Sequence, residues 1–591
     1  MATGTGKRGT NLRFAGDERP PAPASFIIGF QTAVLVSVPV VVVTTIVARA
    51  ADQSDAYLSW TIFAAMVIGG LMTIVQAVRI GGIGAGTLTV MGASGASVGV
   101  AVLALAAGGP ALLGTLVVVS ALCQFALAAR LALLRRIITP VVSGTLMALV
   151  AVTVIPMGFA MLTRVPADAH AAAAPTVTAV TLLAVVGLML RGRRIVRAWT
   201  PVLAIGAGCL TAALFGILDF GPVASARWLG VPSVATSGLD LGFGPAFWVL
   251  LPGFLFVTFV IAVRQVSDSV RMQHLSGREP KAVDFRRVQG GVGACGVGTL
   301  LSGLAGTLPS WPYMAGIALA TGIGVAARRI GVYIGAILIV LAFVPKVTAL
   351  VVSVPAPVLG AYIIVIFGVT FAEGMRVVFQ HGAERVNAMI AGLSFWVGAG
   401  IQFQAIFPEH FATPTARMLA NGLTAGGLTI LLLNLFLALT GPRRQRVEMP
   451  LRPESLPVLD RFLVEFAARY QWSTEATDRL RAASEEALLS LSRQEEDNGG
   501  RDAAGPEAHA GATNGRRLRV VARNRPHDGL LEFTAATRTG NLENEMVLLG
   551  SRPDPTSVRD LSLRLLRHHA SSVTHRQYHN VDILTVRVDK P

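Results

Sequence analysis

Apolar runs of about twenty residues alternate with short polar loops from Ser25 to Gly441, and then the alternation stops. A run of that length crosses the hydrocarbon core of a bilayer as one helix. Fourteen can be placed, near 26–49, 57–77, 83–104, 110–128, 138–162, 172–190, 199–217, 245–266, 288–305, 313–326, 330–350, 357–375, 386–404 and 423–441. The third and tenth do not read as plain helices, because Gly, Ser and Pro interrupt them over Gly81–Ser97 and Gly303–Gly324. Beyond Arg443 the pattern becomes amphipathic helices and alternating strands. The expected fold is all-α in the membrane, with about fourteen transmembrane spans, followed by a small α/β domain. The chain then divides into a polar N-terminal tail (1–24), a membrane domain (25–441) and a second domain (442–591).

The loops carry their charge unevenly. Those after even-numbered spans hold Arg130, Arg191, Arg278, Lys281, Arg286, Arg287, Arg328, Arg329, Arg376, Arg443, Arg444 and Arg446. Those after odd-numbered spans hold Arg49, Arg164, Arg227, Lys346 and Arg417. Basic loops stay on the cytoplasmic side, so both termini and the second domain are expected there, in a multi-pass protein of the inner (plasma) membrane. This also accounts for the net charge of +16 without nucleic acid as a partner. With 53% hydrophobic and only 14% charged residues, the composition excludes an ordinary soluble enzyme. The three cysteines, Cys123, Cys209 and Cys295, all sit in apolar stretches and imply no disulfide framework. No cluster of metal-ligating residues stands out, and no enzymatic activity or cofactor is expected.

The chain repeats itself. Gly86-Thr87-Leu88 opens the broken third span and Gly306-Thr307-Leu308 the broken tenth. Pro140-Val141-Val142-Ser143-Gly144 starts span five and Pro357-Val358-Leu359-Gly360 starts span twelve. The two separations, 220 and 217 residues, nearly agree. Seven spans per half is odd, so the halves insert with opposite orientation, the plan of secondary transporters. Backbone groups freed by a break cannot face lipid. Paired breaks therefore point to a solute site near the midplane, where half-helix N-termini offer partial positive charge.

From Gly296 to Arg376 the chain resembles the nucleobase–ascorbate transporters, the xanthine/uracil permeases. Val344-Pro345-Lys346, Val354-Pro355-Ala356-Pro357-Val358-Leu359-Gly360, Phe367-Gly368 and Gly374-Met375-Arg376 carry the likeness, with Gly29-Phe30-Gln31 and Gly92-Ala93-Ser94 in the first half. The resemblance covers roughly residues 25–441. It implies a fourteen-span inverted repeat of core and gate domains, a proton- or sodium-coupled importer of purines and pyrimidines, and a homodimer. The family's span-ten signature, Gln-Asn-x-Gly-x-x-x-x-Thr, is met here by Gly316 and Thr321 but not by its Gln and Asn, whose places are Tyr313 and Met314. Its span-eight glutamate falls at Arg264, with Asp268 four residues on; its span-nine acid falls at Cys295, and its span-three aromatic at Gly95.

The substrate-binding residues expected on this basis are Gln31, Ala93, Ser94, Gly95, Arg264, Gln265, Asp268, Tyr313, Met314, Ala315 and Gly316. An arginine only donates hydrogen bonds and stays charged, so Arg264 favours an anionic or acceptor-rich ligand. It can also pair with Asp268 or snorkel. Trp311 and Tyr313 can stack on a planar ligand or belong to an interfacial aromatic belt. Glu373 reads as a helix-end partner of Arg376, and Asp268 as the carboxylate left for proton coupling. The expected function is secondary transport of a nucleobase or related small planar solute. The alternatives are a small organic or inorganic anion on the same fold, or a transporter-derived sensor.

In the second domain, Leu456–Tyr470, Thr474–Ser492 and Leu561–His569 have helical spacing. Leu518–Ala522, Leu530–Phe533 and Val581–Val588 read as strands, and Asp497–Gly515 as a polar loop. Arg479 to Leu488 and Leu561 to Leu566 resemble the histidine-kinase-like ATPases of the anti-sigma-factor type. That resemblance is degenerate: Glu485 and Glu486 persist, but Ser490 stands where the family has its Asn, and the phosphate-cradling glycines are lost near Asp560 to Ser562. A folded interaction module without ATP hydrolysis is expected.

Overall fold

The computed structural model describes residues 12–134, 139–192, 196, 199–235, 238–278, 281–380, 382, 384–411, 422–440, 445–502, 517–524, 528–535, 541–549, 558–579 and 581–590. Arg417, Arg443, Arg444 and residues 503–515 of the expected polar loop lie outside them. Two compact units emerge: residues 1–278 with 287–436, and residues 279–286 with 437–591.

The first unit is helical. Its helices are α1 (Ala22–Ala50), α2 (Asp55–Val78), α3 (Val98–Ala129), α4 (Pro140–Leu162), α5 (Ala173–Arg191), α6 (Thr200–Leu214), α7 (Pro245–Ser276), α8 (Phe285–Leu304), α9 (Ala315–Ile323), α10 (Arg328–Ala342), α11 (Ala356–Val378), α12 (Arg385–Gln402) and α13 (Gly422–Thr440). Two short strands, β1 (Val90–Ala93) and β2 (Ser310–Tyr313), precede α3 and α9. Non-helical backbone at Gly108 and Gly109, followed by Pro110, divides α3 into two spans. Each of the fourteen expected segments thus contains helix among the described residues, and seven helices are long and apolar enough to cross a membrane by themselves. The third and tenth are strand-plus-half-helix, since β-type backbone is what their Gly, Ser and Pro content permits. Span eleven ends at Ala342, and Pro345–Val352 forms a separate short helix. Residues 12–18, expected as tail, are stitched to the membrane unit: Arg13 N–H donates to Gly324 O (2.8 Å), Gly16 N–H to Ser276 O (2.9 Å) and Ala326 N–H to Phe14 O (2.9 Å).

The helices sort into two groups. In the core, α1 packs on α2 and α10, α2 on α10, and α7 on α3 and α9. Polar contacts add α8: Thr299 Oγ1 donates to Gln124 of α3 (3.2 Å), and Gln76 of α2 donates to Gly291 O (3.1 Å). In the gate, α11 packs on α4, α5 and α6, and α12 on α4. α13 joins the gate, since a Cβ on its Gly426 would lie 2.7 Å from Ser394 O of α12.

The inversion of the halves is visible where α4 meets α11, the fifth and twelfth spans. A Cβ on Gly144 would collide with Gly374 O, and one on Gly360 would lie 2.7 Å from Gly158 O. The start of each helix meets the end of the other, so equivalent spans run antiparallel. Backbones can approach this closely only because neither side carries a Cβ. Gly86 and Gly306, which open the two broken spans, share φ +64, a left-handed turn that favours glycine.

The second unit is α/β. Its strands are β3 (Gln445–Pro450), β4 (Arg517–Asn524), β5 (Asp528–Ala535), β6 (Ser572–Gln577) and β7 (Asp582–Asp589), ordered β3-β4-β5-β7-β6 and all antiparallel. Its helices are α14 (Leu456–Arg469), α15 (Thr474–Asp502), α16 (Leu542–Leu549) and α17 (Val558–His569). The first six residues of the expected polar loop, 497–502, instead continue α15. Strands β3 and β6 were not expected. Both lie at sheet edges, where a mostly polar face replaces the apolar alternation that marks a strand. The core joins Leu459, Leu463 and Phe466 of α14 and Leu480 and Leu488 of α15 to Leu518, Val520 and Phe533 of the sheet and to Leu563 and Leu566 of α17.

His575 on β6 is 1% exposed and accepts the Leu542 N–H at Nδ1 (3.0 Å). Burial, aided by the nearby positive charge of Arg286, pushes its pKa down to about 4. Above pH 6.5 the imidazole is neutral both folded and unfolded. Between 6.5 and 4 the unfolded chain takes the proton and the folded chain does not, so stability is lost as the pH is lowered through that window. Hydrogen exchange of peptides covering 572–589 in the full chain, corrected for intrinsic rate, is therefore expected to lose roughly 1 kcal/mol of protection per pH unit across it. His575→Gln should flatten the dependence.

Candidate functional site: a cavity between core and gate

Strands β1 and β2 pair antiparallel, Val90 with Tyr313, Met91 with Pro312, Gly92 with Trp311 and Ala93 with Ser310. Each broken span thus satisfies the backbone of the other in the middle of the unit. The half-helices α3 and α9 leave the ribbon from opposite ends, each with its N-terminus at the ribbon. A Cβ on Gly92 would collide with the Tyr313 ring, so the tyrosine lies over this glycine. Its hydroxyl donates to Ala93 O (2.9 Å). Tyr313 is therefore committed to the ribbon rather than free to stack on a ligand. At the Ala93–Ser310 end, the hydroxyls of Ser94 (0% exposed) and Ser310 (2% exposed) have no hydrogen-bond partner among the described residues.

A cavity lies where this core element faces the gate. Val260, Val263, Arg264 and Ser267 of α7 and Trp311 of β2 line one side; Ser143, Leu146, Met147 and Val150 of α4 and Thr370 of α11 line the other. The space open to the centres of water-sized spheres is about 20 Å³. That admits one or two waters. A planar bicyclic solute needs the core to move away from the gate, so the arrangement is a contracted one.

Arg264 is 5% exposed and Asp268 6% exposed, and Arg264 Nε donates to Asp268 Oδ2 (2.9 Å). The sequence allowed three readings of Arg264, and the geometry combines two: it pairs with Asp268 and it lines the cavity. Snorkelling is excluded by its burial. With Nε engaged, four N–H donors remain on this side chain. Gln265 points elsewhere, donating to Ser269 Oγ (2.9 Å) and accepting from Cys295 Sγ (3.3 Å). Gly95 faces the gate, where a Cβ would meet Phe367 of α11 at 3.5 Å. Gly316 is a packing residue, since a Cβ there would collide with Leu88 O. Met314 is the N-cap of α9 and Ala315 its first residue. Gln31 is half-buried on α1 and is not among the cavity-lining residues.

Of the expected residues, then, Arg264 lines the cavity and Asp268 positions it. Ala93, Ser94, Gly95, Tyr313, Met314, Ala315 and Gly316 build the ribbon and its helix starts, and Gln31 and Gln265 lie apart. The gate-side residues Ser143, Met147 and Thr370 were missed; small and apolar side chains in an apolar span carry no local mark. Glu373 was only partly read. It pairs with Arg376 (3.7 Å), as its i,i+3 spacing suggested, but also with Arg271 of α7. That second pair crosses from core to gate one turn beyond Thr370, and connects residues 102 apart in sequence.

A family profile described as a permease family, of the xanthine/uracil type, matches residues 23–407. The xanthine permease XanP of Escherichia coli (strain K12) is 27% identical over 447 residues, covering 72% of this chain and 94% of that protein. The nucleobase transporter PlUacP of Paenibacillus larvae is 25% identical over 427 residues, covering 71% and 95%. Among solved structures, the transmembrane domain of a cyanobacterial bicarbonate transporter, BicA, is 14% identical with a TM-score of 0.45, covering 72% of this chain and all of that one. The murine anion transporter Slc26a9 in its inward-facing state is 12% identical with a TM-score of 0.48, covering 73% and 71%.

The Arg271–Glu373 pair makes the core–gate boundary testable. Glu373→Gln is expected to loosen the contracted arrangement and raise the maleimide labelling rate of a cavity cysteine, Ser143→Cys, by roughly three- to tenfold, the worth of an ion pair of about 1 kcal/mol. An unchanged rate shows that the pair does not hold core to gate.

Proposed function

The chain belongs to the xanthine/uracil permease family, and on that premise we propose that it carries an acceptor-rich nucleobase, of the oxopurine kind, by alternating access of the core against the gate. One observation carries the choice of substrate: Arg264, with four N–H donors left after its bond to Asp268, lines the cavity together with Trp311. The carbonyl oxygens and ring nitrogens of an oxopurine offer acceptors to the guanidinium, and its plane suits the indole face. The names of the relatives, a xanthine permease and a nucleobase transporter, agree with this class. The same arginine supports a second reading, a small anion. The basic loops support an orientation with both termini in the cytoplasm.

Coupling follows from the carboxylates. Cys295 is bonded to Gln265 and supplies no acid. Asp268 is held by Arg264 and Glu373 by Arg271 and Arg376. Proton coupling is then weak, or absent, unless Asp268 serves it; sodium is the other candidate ion.

In the second unit, Ser562 Oγ donates to Glu486 and lies 3.3 Å from Ser490 Oγ. Of the two glutamates that the ATPase resemblance retains, Glu485 and Glu486, the second is thus engaged with α17, which supports a non-hydrolysing module. Val458 (50% exposed), Val464 (43%), Leu561 (49%) and Leu565 (36%) leave apolar surface on α14 and α17, which supports a part in a homodimer.

Uptake into proteoliposomes tests the substrate class. Labelled xanthine should accumulate, and Arg264→Gln combined with Asp268→Asn, which removes the pair without stranding a buried charge, should weaken its binding by about tenfold or more. Thermal stabilisation by bicarbonate or sulfate, with none by xanthine or uracil, would replace the nucleobase with the anion. For the second unit, full-length protein is expected to show no ATPase activity, and truncation after Arg446 to shift the oligomer toward monomer by light scattering.

A further inference from the structure

Along the broken third span, every residue from Gly84 to Val98 is buried except Gly95. Gly95 opens the turn Gly95–Ser97 that leads from the ribbon into α3. Two reasons that commonly fix a glycine are missing here. Its φ is not positive, and a Cβ would stand in ordinary contact with what it faces rather than in collision. Gly92 and Gly316 differ, since a Cβ on either would collide with the ribbon or the strand entering it. What Gly95 excludes is the rest of a side chain, so that bare backbone is offered to the space in front of it.

That space is taken by a ring from the gate. A Cβ on Gly95 would lie 3.5 Å from Phe367 Cζ, the tip of the phenyl group. Phe367 sits midway along α11. Thr370, which lines the cavity, and Glu373, which pairs with Arg271 of α7, follow it at intervals of three residues. The three lie along the face that α11 presents to the core. Phe367 is half-buried and packs against the same apolar cluster as Trp311 of the ribbon. Core and gate thus each bring an aromatic side chain to this boundary.

We propose that Phe367 is a plug: in the contracted arrangement its ring holds the place against Gly95 that one ring of a planar solute takes once core and gate separate. A phenyl group has the size and flatness of a six-membered heterocycle but carries no hydrogen-bonding group on its edge. It covers the start of α3 without satisfying it. The hydroxyl of Ser94, the residue before Gly95, is 0% exposed and has no partner among the described residues. A polar solute edge offers that end of the site what the phenyl ring does not. Phe367 then sets how readily a solute enters, because the apparent affinity is reduced by the fraction of molecules in which the ring stands aside. The inference rests on the nucleobase reading for the planar shape of the solute, and not on which base is carried.

The test has one arm without solute and one with it. In full-length protein with Cys123, Cys209 and Cys295 replaced, the maleimide labelling rate of Gly95→Cys is measured alone and with Phe367→Ala, Phe367→Val or Phe371→Ala. Phe371 lies on the same helix and packs edge-on against Phe395 of α12, so its loss controls for general loosening of the gate. Phe367→Ala is expected to raise the rate by about fivefold or more, Phe367→Val by about threefold or more, and Phe371→Ala to leave it within about twofold. A parent-like rate in the Phe367 variants overturns the plug, as does an equal rise in the control. In the second arm, with Gly95 intact, Phe367→Ala is expected to tighten equilibrium binding of xanthine by about threefold or more, since the ring no longer competes. Weaker binding makes Phe367 a stacking partner of the solute and overturns the plug. If xanthine binds neither parent nor variant, the substrate reading falls and the labelling arm alone decides.

Discussion

A polar backbone group in the hydrocarbon region must find a partner inside the protein. Two spans of this chain abandon the helix halfway, and the cost of doing so is met by a single device: the two breaks pair with each other as the ribbon of β1 and β2. Ser94 N–H reaching Pro309 O (2.9 Å) extends the pairing past the strand ends. Because the partners come from opposite halves of the sequence, neither half can form its broken span alone. The ribbon also explains the surrounding composition. Gly92 leaves room for the Tyr313 ring, and Gly316 lets α9 approach Leu88 O; a methyl group at either place would collide with the ribbon or the strand entering it.

The gate answers a different demand. It needs to be a firm wall rather than a satisfied break, and α4 and α11 provide it by laying backbone on backbone at Gly144–Gly374 and Gly158–Gly360. Between this wall and the ribbon the lining is mixed: aliphatic side chains, the hydroxyls of Ser143, Ser267 and Thr370, one tryptophan, and beyond them an ion pair at Arg271–Glu373. Two bodies that are rigid within and weakly joined between are what movement of one against the other requires. The contracted cavity and the ion pair belong to one arrangement of that boundary.

How much of this was legible in the sequence follows from the range of each signal. Hydropathy, glycine breaks and basic loops are local, so the fourteen spans, their two interruptions and the repeat could be read directly. Arg264 and Asp268 could be paired because four residues bring side chains together on one helix. Choosing Trp311 over Tyr313 as the cavity aromatic could not be done, because it depends on a tyrosine hydroxyl finding Ala93 O, 220 positions away. Glu373 hid its second partner for the same reason. The strands β3 and β6 were missed because edge strands carry charge where inner strands carry apolar residues.

The resemblance places an acid where this chain has Arg264, and on the proposed reading that exchange changes what the site can ask of a solute. A carboxylate there would accept from the N–H edge of a base and could carry a proton with it. The pair present here is internally neutral, already satisfied on one side, and offers only donors to the cavity. A solute edge made of N–H groups would leave those donors without acceptors in a dry site, at a cost of about 1–3 kcal/mol for each group left bare. An edge made of carbonyl oxygens and unprotonated ring nitrogens meets them. The two orphan hydroxyls at Ser94 and Ser310 are indifferent, since each can donate or accept. On the proposed reading, discrimination therefore falls on the arginine. It acts by the number and direction of acceptors on the solute, which separates an oxopurine from an aminopurine before charge is considered.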